Sequence, residues 1–264
     1  MKKNLFFTAV IVLLAACSSV VLTGRKQLLL VSDSDVLTTS LQSYSDYMKS
    51  APLSTNKTNT ALVKKVGKNI AVAVETYLRN NGMESEIANL SWEYSLVKDT
   101  SQNAFCMPGG KIVVYEGILP VTKNETGLAV VLGHEVAHAI AKHSNERMSQ
   151  QMIAQYGASI TSAVFASKSA ATQNIANTVY GLGAQYGAIL PFSRKHELEA
   201  DRLGLIFMAM AGYNPSEAAS FWERMSEASA GATPEFMSTH PSDATRIAQI
   251  QKYLPEALQY YKKK

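Results

Sequence analysis

The hydrophobic pattern of the chain first predicts an amphipathic helix from about Thr58 to Asn80. Apolar residues recur there at every fourth position, which places them along one face of a helix. They are Leu62, Val66, Ile70, Val74 and Leu78. Gly82 follows the last of them, so we expect the helix to end near that glycine.

Two short segments have the residue types of β-strands. They are Trp92 to Val97 and Lys111 to Tyr115. Met107-Pro108-Gly109-Gly110 precedes the second segment and is a turn signal, which predicts a hairpin. We therefore expect a small sheet of two to four strands.

A nearly uncharged helix is predicted to run from Thr122 to about Lys142. Thr122 and Glu125 have the spacing of a capping box. Apolar residues mark the packing face, and they are Leu128, Val131, Leu132, Val136, Ala139 and Ile140. Because the other faces also carry few charges, we expect this helix to be largely buried.

The rest of the chain is predicted to be helical. Residues 144–190 are rich in Ala, Ser, Gly and Gln, which favours closely packed helices with breaks near Gly181, Gly183 and Gly187. A helix from about Arg194 ends at Gly212, Asn214-Pro215 and Glu217 begin the next, and a last helix starts near Pro241. The predicted fold class is α+β and mostly helical, with a small β-sheet beside the helix that begins at Thr122.

Composition agrees with one sizeable globular domain. The chain has 264 residues, of which 47% are apolar and 17% are charged. The formal net charge is only +4, and Lys2 and Lys3 contribute two of the basic residues. Since no cationic surface is indicated in the domain, we predict no binding to nucleic acid.

The N-terminus has the features of a secretory signal peptide. Lys2 and Lys3 precede an apolar stretch from Leu5 to Ala16, which is too short to remain as a membrane-spanning helix. The alternatives are a plain signal peptide with an incidental cysteine at position 17, or a leader whose cysteine is modified.

Leu14-Ala15-Ala16-Cys17 resembles the lipobox of bacterial lipoproteins. That resemblance implies that residues 1–16 are a lipoprotein signal peptide and that Cys17 carries the lipid. In Gram-negative lipoproteins, an aspartate directly after the cysteine resembles an inner-membrane retention signal. Ser18 stands at that position instead, so an outer-membrane lipoprotein facing the periplasm is favoured. With Cys17 acylated, Cys106 has no disulfide partner, and we expect it to be a small buried residue.

The segment His134-Glu135-Val136-Ala137-His138 lies within the buried helix. Four residues advance a helix by about 6 Å and 400°, so both imidazoles lie on one face and can converge on a metal ion. Glu135 is offset by about 100°, which places its carboxylate where it can deprotonate a water. Two core histidines with a chance glutamate are the alternative, but burying these groups without partners costs about a few kcal/mol each.

A catalytic zinc site usually has three protein ligands and one open position. His143 is a weak third candidate, because Ala141 and Ser144 depart from the metzincin pattern, and we expect it to be solvated or a local hydrogen-bond donor. Glu197 and Asp201 are better candidates, since they lie one turn apart on one face. One can bind the metal while the other hydrogen-bonds a ligating histidine. The alternative for this segment is a charged, solvent-facing helix start.

These motifs together resemble a known peptidase family. His134-Glu135-x-x-His138 followed by Glu197-x-x-Ala200-Asp201 is similar to the gluzincins of the CAAX prenyl protease, HtpX and Oma type. Asn103-Ala104-Phe105 and Pro108-Gly109-Gly110 also match, and the similarity extends over residues 90–250. The soluble periplasmic branch, which includes BepA and the lipoprotein LoiP, is the most similar.

The resemblance implies one Zn²⁺ per chain, with Glu197 as the third ligand. It implies a zincin-like metalloprotease domain at residues 57–264, preceded by a lipid-anchored tether at residues 17–56. Thr239-His240-Pro241-Ser242 also resembles a family segment in which the histidine approaches the metal and either restrains the enzyme or supports the transition state. The alternative for His240 is a residue that simply precedes a proline-initiated helix.

The predicted function is a zinc endopeptidase of the bacterial envelope that acts on unfolded or misassembled proteins, with Glu135 as general base. The strand from Lys111 to Tyr115 is expected to pair with an extended substrate. The alternatives are an envelope chaperone or assembly factor with a latent or gated protease site, and an interaction protein without a metal. The sequence predicts no oligomeric state.

Overall fold

The computed structural model of the protein describes residues 17–20, 23–184, 190–228, 236, 238, 240 and 244–262. The predicted signal peptide, Gly187, and the residues Thr239, Pro241 and Ser242 lie outside these. The chain forms two compact units: the first contains residues 1–36 and 141–196, and the second contains residues 37–140 and 197–264.

The elements follow one another in a mostly helical order, which confirms the predicted α+β class. They are β1 (Cys17–Ser19), β2 (Lys26–Leu28), α1 (Asp33–Ser50), α2 (Lys57–Asn80), α3 (Glu84–Ile87), β3 (Glu93–Val97), β4 (Ala104–Met107), β5 (Lys111–Tyr115), a 3-10 turn (Glu116–Ile118), α4 (Leu119–Thr122), α5 (Glu125–Ile140), α6 (His143–Phe165), α7 (Ala170–Ala184), α8 (Leu190–Met210), α9 (Glu217–Ala228) and α10 (Ala244–Leu258). No helix among the described residues is both long and apolar enough to cross a bilayer.

Helix α2 confirms the first prediction from the hydrophobic pattern. The Asn56 side chain accepts a hydrogen bond of 3.0 Å from the Asn59 amide and caps the N-terminus. Four residues of the predicted stripe, Val66, Ile70, Val74 and Leu78, are buried, and Leu62 is partly exposed. Gly82 adopts a left-handed φ of 69° just beyond the last turn, a conformation that glycine adopts without steric cost.

The sheet of the second unit has the strand order β3-β5-β4. β3 runs parallel to β5, and β4 runs antiparallel to it. The predicted hairpin is therefore made by β4 and β5, with Gly109 and Gly110 at φ of 92° and 80° in the turn. The sequence did not indicate β4, because Ala-Phe-Cys-Met is short and does not alternate between apolar and polar residues.

The position of β5 corrects one expectation. Both of its edges are already hydrogen-bonded, to β3 and to β4. The strand from Lys111 to Tyr115 therefore has no free backbone groups for a substrate, and the prediction that it pairs with one is wrong. β3 and β4 are the edge strands of this sheet among the described residues. Residues 52–54 hydrogen-bond to the end of β3, whereas the second edge of β4 is open within the part of the chain that the structure describes.

The segment predicted as a tether, residues 17–56, contains the β1–β2 pair and helix α1. Within the second unit, Tyr44 of α1 packs in a hydrophobic cluster with Val97 and Val113. Its hydroxyl lies 3.2 Å from Ser95 Oγ. The polar residues that suggested a tether stand mostly on the exposed faces of α1.

Helix α5 is buried from Gly127 to His138. The helix begins at Glu125, later than predicted, and the prediction that Thr122 and Glu125 form a capping box is wrong. The Asn124 side chain accepts a hydrogen bond of 2.9 Å from the Gly127 amide, whereas the Thr122 hydroxyl donates to the Leu119 carbonyl within α4. Strand β4 packs against α5, so the small sheet lies beside the helix that carries the two histidines.

In the first unit, a buried carboxylate connects the N-terminal segment to α6. Arg25 donates two hydrogen bonds of 2.9 and 2.7 Å to Glu146, and His196 Nε2 lies 2.9 Å from the same carboxylate. Burial alone would raise the pKa of Glu146, but these partners lower it to about 2. His143 is buried and stacks on His196 at 4.3 Å, so the expectation that it is solvated was wrong.

Candidate metal centre

Helix α5 brings two histidines together at the centre of the second unit. His134 Nε2 and His138 Nε2 lie 3.0 Å apart, and both residues are buried. The one-turn spacing therefore places both imidazole nitrogens at one point, as required for a shared ligand.

A close helix crossing positions the acids opposite these histidines. A Cβ atom on Gly133 of α5 would lie 2.8 Å from the Gly204 carbonyl oxygen of α8, and a Cβ on Gly204 would lie 2.8 Å from the His134 amide nitrogen. Only glycine at both positions allows the two backbones to approach so closely. Glu197 and Asp201 precede Gly204 on α8, so the crossing directs them toward α5.

Glu197 reaches both histidines of α5. Its Oε2 lies 3.2 Å from His134 Nε2, and its Oε1 lies 3.4 Å from His138 Nε2. Burial would raise the pKa of Glu197, but His138 and His134 hold it well below its usual range. Glu197 is therefore ionised and can act as an anionic ligand.

Asp201 contacts the opposite nitrogen of the His134 ring. Its Oδ1 lies 2.9 Å from His134 Nδ1, which leaves His134 Nε2 facing Glu197. A carboxylate on the outer nitrogen fixes the ring orientation of a ligating histidine. Burial and Arg246 oppose protonation of His134, yet Asp201 and Glu197 raise its pKa to about 9. The carboxylates of Asp201 and Glu197 therefore stabilise a positive charge at this centre.

His240 completes the group from a separate part of the chain. Its Nδ1 lies 3.2 Å from His134 Nε2 and 3.0 Å from Glu197 Oε2. The His240 amide donates to the Phe236 carbonyl at 2.8 Å, and the Phe236 amide donates to the Gln102 carbonyl at 3.0 Å. Of the two interpretations of this histidine, the structure favours the one in which its ring faces the metal centre.

The four side chains have the donor set and spacing of a zinc site. One ligand atom from each of His134, His138, Glu197 and His240 lies within 4.8 Å of all the others. Zinc bonds of about 2.0 to 2.1 Å in a tetrahedron separate the ligand atoms by about 3.3 Å. Five of the six pairs are separated by 3.0 to 3.4 Å, with Glu197 contacting His138 through Oε1 and the other two residues through Oε2, and these distances agree with that geometry. The residues present therefore fit a zinc ion.

Glu135 lies beside this group rather than in it. Its Oε1 lies 3.5 Å from His240 Nε2, and this oxygen is buried without a hydrogen-bond partner among the described residues. Burial raises the pKa of Glu135, while His240 and His134 oppose that change. A carboxylate with a raised pKa and a free oxygen is suited to accept a proton from water.

Arg246 of α10 is a residue of the site that the sequence analysis missed. It donates two hydrogen bonds to Asp201, of 2.7 and 2.8 Å, and one of 3.1 Å to the His240 carbonyl. Its guanidinium lies 3.6 Å above the Trp222 ring. Arg246 thus holds Asp201, which contacts His134, and also holds the backbone of His240. The signal in the sequence was the position of Arg246, which shares one face of α10 with the apolar residues Ile250 and Ala257. Both of these residues are buried.

Edge strand β4 presents backbone groups beside the centre. The Tyr115 amide donates to the Asn103 carbonyl, which means that Phe105 faces β5. In the antiparallel pattern the backbone groups of Ala104 and Cys106 then face the other edge. Cys106 is a half-buried free thiol, and burial followed by the charge of Glu135 raises its pKa. It is therefore a protonated thiol near the general-base candidate.

Comparison with known proteins identifies the family. Residues 65–254 match Peptidase family M48, which is more than half of the chain. This chain belongs to peptidase family M48. The predicted resemblance to gluzincins is confirmed, and the matched residues form a metallopeptidase domain of that family.

The chain is similar to two groups of M48 relatives. It is 42% identical over 175 residues to the mitochondrial metalloendopeptidase OMA1 of Schizosaccharomyces pombe, covering 66% of this chain and 50% of that protein. It is 36% identical over 181 residues to the Arabidopsis thaliana OMA1, covering 67% and 35%. It is also 28% identical over 168 residues to the beta-barrel assembly-enhancing protease of Escherichia coli, covering 61% and 34%. The chain spans about half or less of the length of these M48 relatives.

Proposed function

We propose that this M48 protein is a zinc endopeptidase of the bacterial cell envelope. The observation that carries the proposal is the convergence of His134, His138 and Glu197 at 3.0 to 3.4 Å. Beside them lies a Glu135 oxygen that accepts no hydrogen bond from the described residues. His134, His138 and Glu197 would hold one Zn²⁺ per chain, and Asp201 would orient His134.

Glu135 is the residue that moves protons in this proposal. Bound zinc would supply Lewis-acid chemistry, which lowers the pKa of water and polarises the substrate carbonyl. The Glu135 carboxylate takes a proton from the attacking water and returns it to the nitrogen of the departing amine. Its raised pKa suits both transfers, because the carboxyl group must gain and lose a proton in each cycle.

The open edge of β4 is the surface on which an extended substrate would lie. Ala104 and Cys106 face that edge with backbone donors and acceptors, and β4 packs against α5. Backbone pairing depends little on the side chains of the substrate. Unfolded or misassembled polypeptides are therefore the proposed substrates, and the name of the Escherichia coli relative is compatible with that class.

The N-terminal residues support an envelope location over a mitochondrial one. Lys2 and Lys3 followed by the apolar run from Leu5 to Ala16 have the order of a secretory signal, and the first sixteen residues contain no arginine. Mitochondrial leaders are amphipathic and rich in arginine. We propose an outer-membrane lipoprotein that is anchored through Cys17 and faces the periplasm.

Metal content is the direct test of the proposed zinc site. We expect one zinc per chain by elemental analysis after mild purification. Glu197→Gln should weaken zinc affinity at least about a hundredfold, because it removes the one anionic ligand of the proposed site. Replacing a residue that only hydrogen-bonds a ligand already lowers metal affinity by about 10 to 100-fold. Glu223→Gln, an exposed glutamate on α9, is the matched control and should retain zinc. Absence of stoichiometric metal from the unaltered protein would contradict the proposal.

A latent protease that acts as a chaperone or assembly factor is the second candidate function. The observation that favours it is His240 Nδ1 at the position a fourth ligand would occupy, where water and a substrate carbonyl must also bind. We expect His240→Ala to raise the cleavage rate of unfolded casein roughly tenfold with zinc content unchanged. The reason is that the His240 nitrogen no longer competes with water and the substrate carbonyl for the fourth position on the metal. A fall in cleavage would instead indicate that His240 supports the transition state.

A further inference from the structure

Helix α6 carries four large apolar side chains that are exposed in one line. They form the α6 ridge, which consists of Ile153, Tyr156, Ile160 and Val164, with exposed fractions of 44%, 65%, 65% and 65%. Spacings of three, four and four residues place them within about 80° of one another around the helix axis, over a length of about 17 Å. Single exposed apolar residues are ordinary, but an aligned set marks a binding surface.

The stretch of chain that carries the α6 ridge contains almost no charge. Between Arg147 and Arg194 the only charged residue is Lys168, whereas 17% of the whole chain is charged. The exposed polar residues beside the ridge are uncharged: Gln151, Gln155, Ser159 and Ser162. A protein partner recognised by complementary charge therefore finds no matching groups here.

The N-terminal segment is attached to the same helix. Arg25 pairs with Glu146, the Leu30 amide donates to Ser149 Oγ at 2.8 Å, and Asn145 donates to the Val31 carbonyl at 3.0 Å. Cys17 is the first residue of β1 and pairs with Leu28 of β2, and β2 packs against α6 within the first unit. A lipid on Cys17 would therefore hold α6 near the membrane surface.

We propose that the α6 ridge docks into the surface of a lipid bilayer. The apolar side chains enter the boundary between headgroups and acyl chains, and Tyr156 lies at the level of the headgroups, where aromatic rings with a polar end are favoured. The helix lies in the plane of the interface, because its other faces pack against α7 and β2 within the first unit and the ridge is the apolar face that is left to enter the lipid. Binding through apolar insertion alone is independent of anionic lipid and of salt. Where Cys17 is also acylated, which is part of the proposed function, the ridge is the second membrane contact.

Tryptophan fluorescence tests the insertion in the full-length protein reconstituted into phosphatidylcholine vesicles. A tryptophan introduced by Tyr156→Trp should be quenched by lipids with brominated acyl chains, beyond the quenching of the unsubstituted protein, which contains Trp92 and Trp222. Val72→Trp is the matched control, since Val72 is 59% exposed on α2, and it should show no added quenching. Equal quenching in the two variants, or none at position 156, overturns the proposal.

Replacing the ridge tests its contribution to binding. Ile153→Gln, Ile160→Gln and Val164→Gln combined should abolish the quenching at position 156, whereas addition of 0.5 M salt (about the range in which charge interactions are screened) or omission of anionic lipid should not. If the triple variant instead converts a dimer to a monomer in sedimentation, the ridge binds a second copy and the proposal is wrong. Mass spectrometry of the peptide that contains Cys17 reports the lipid anchor separately, and protease assays report the proposed activity, so the three hypotheses fail independently.

Discussion

Replacing Glu135 by glutamine is expected to lower kcat/KM for an unfolded protein substrate by about a thousandfold, within the range of general acid–base catalysis. Glutamine keeps the shape of the side chain but cannot accept a proton from water. Because Glu135 lies beside the metal group rather than among its ligand atoms, the zinc content should stay at one per chain. The measurement is initial cleavage rate together with elemental analysis on the same preparation.

Glu125→Gln is the matched control for this experiment. Glu125 stands at the start of the same helix, its side chain is 40% exposed, and it pairs with Lys65 at the surface. Exposed ion pairs contribute little, so this variant should retain both activity and zinc. Full cleavage by the Glu135→Gln variant would show that another group accepts the proton, and loss of zinc would show that Glu135 supports the metal group itself.

The parts of the structure that follow from local patterns could be predicted from the sequence. Helix α2 and strand β5 occupy nearly the predicted residues, because their hydrophobic spacing and their glycine signals act over a few neighbouring positions. The pairing of His134 with His138 has the same local origin, since one helical turn determines it. Glu197 was found by a combination of its spacing from Asp201 and the family resemblance.

The features that were missed depend on contacts between distant residues. Strand β4 is short and becomes a strand by pairing with β5, and this pairing also determined that β4, rather than β5, is the open edge. Gly133 and Gly204 set the helix crossing behind the centre, but each looks like an ordinary helical glycine in the sequence. His143 was expected to be solvated or a local hydrogen-bond donor, because the sequence does not show that its ring stacks on His196 of a different helix.

The centre depends on a supporting layer of charge as well as on its ligand atoms. Arg246 holds Asp201, Asp201 holds His134, and Arg246 also donates to the carbonyl of His240. Burial would raise the pKa of Asp201, but Arg246 keeps it low and the carboxylate ionised. The positions of His134 and His240 in the second unit therefore both depend on Arg246.

Arg246→Met is consequently expected to lower the free energy of unfolding by about 3 kcal/mol, because it leaves a buried carboxylate without its counter-charge. Methionine retains apolar contact with Trp222, so the loss reports mainly the missing charge and hydrogen bonds. We also expect zinc affinity to fall by about 10 to 100-fold, since Asp201 no longer has a fixed orientation against His134. Denaturant unfolding and titration with a competing chelator measure the two effects.

Arg202→Met provides the control for the arginine at position 246. Arg202 makes an equally short pair with Glu256, at 2.7 and 2.8 Å, but both side chains are about one-third exposed. Water already solvates these charges, so the change should cost less than about 1 kcal/mol and leave zinc affinity unaltered. Adding Asp201→Asn to Arg246→Met should recover part of the lost stability, because the carboxylate charge that lacked a partner is removed. Equal losses in the two arginine variants, or no recovery in the double variant, would mean that Arg246 acts through packing alone and that the charge layer does not position the histidines.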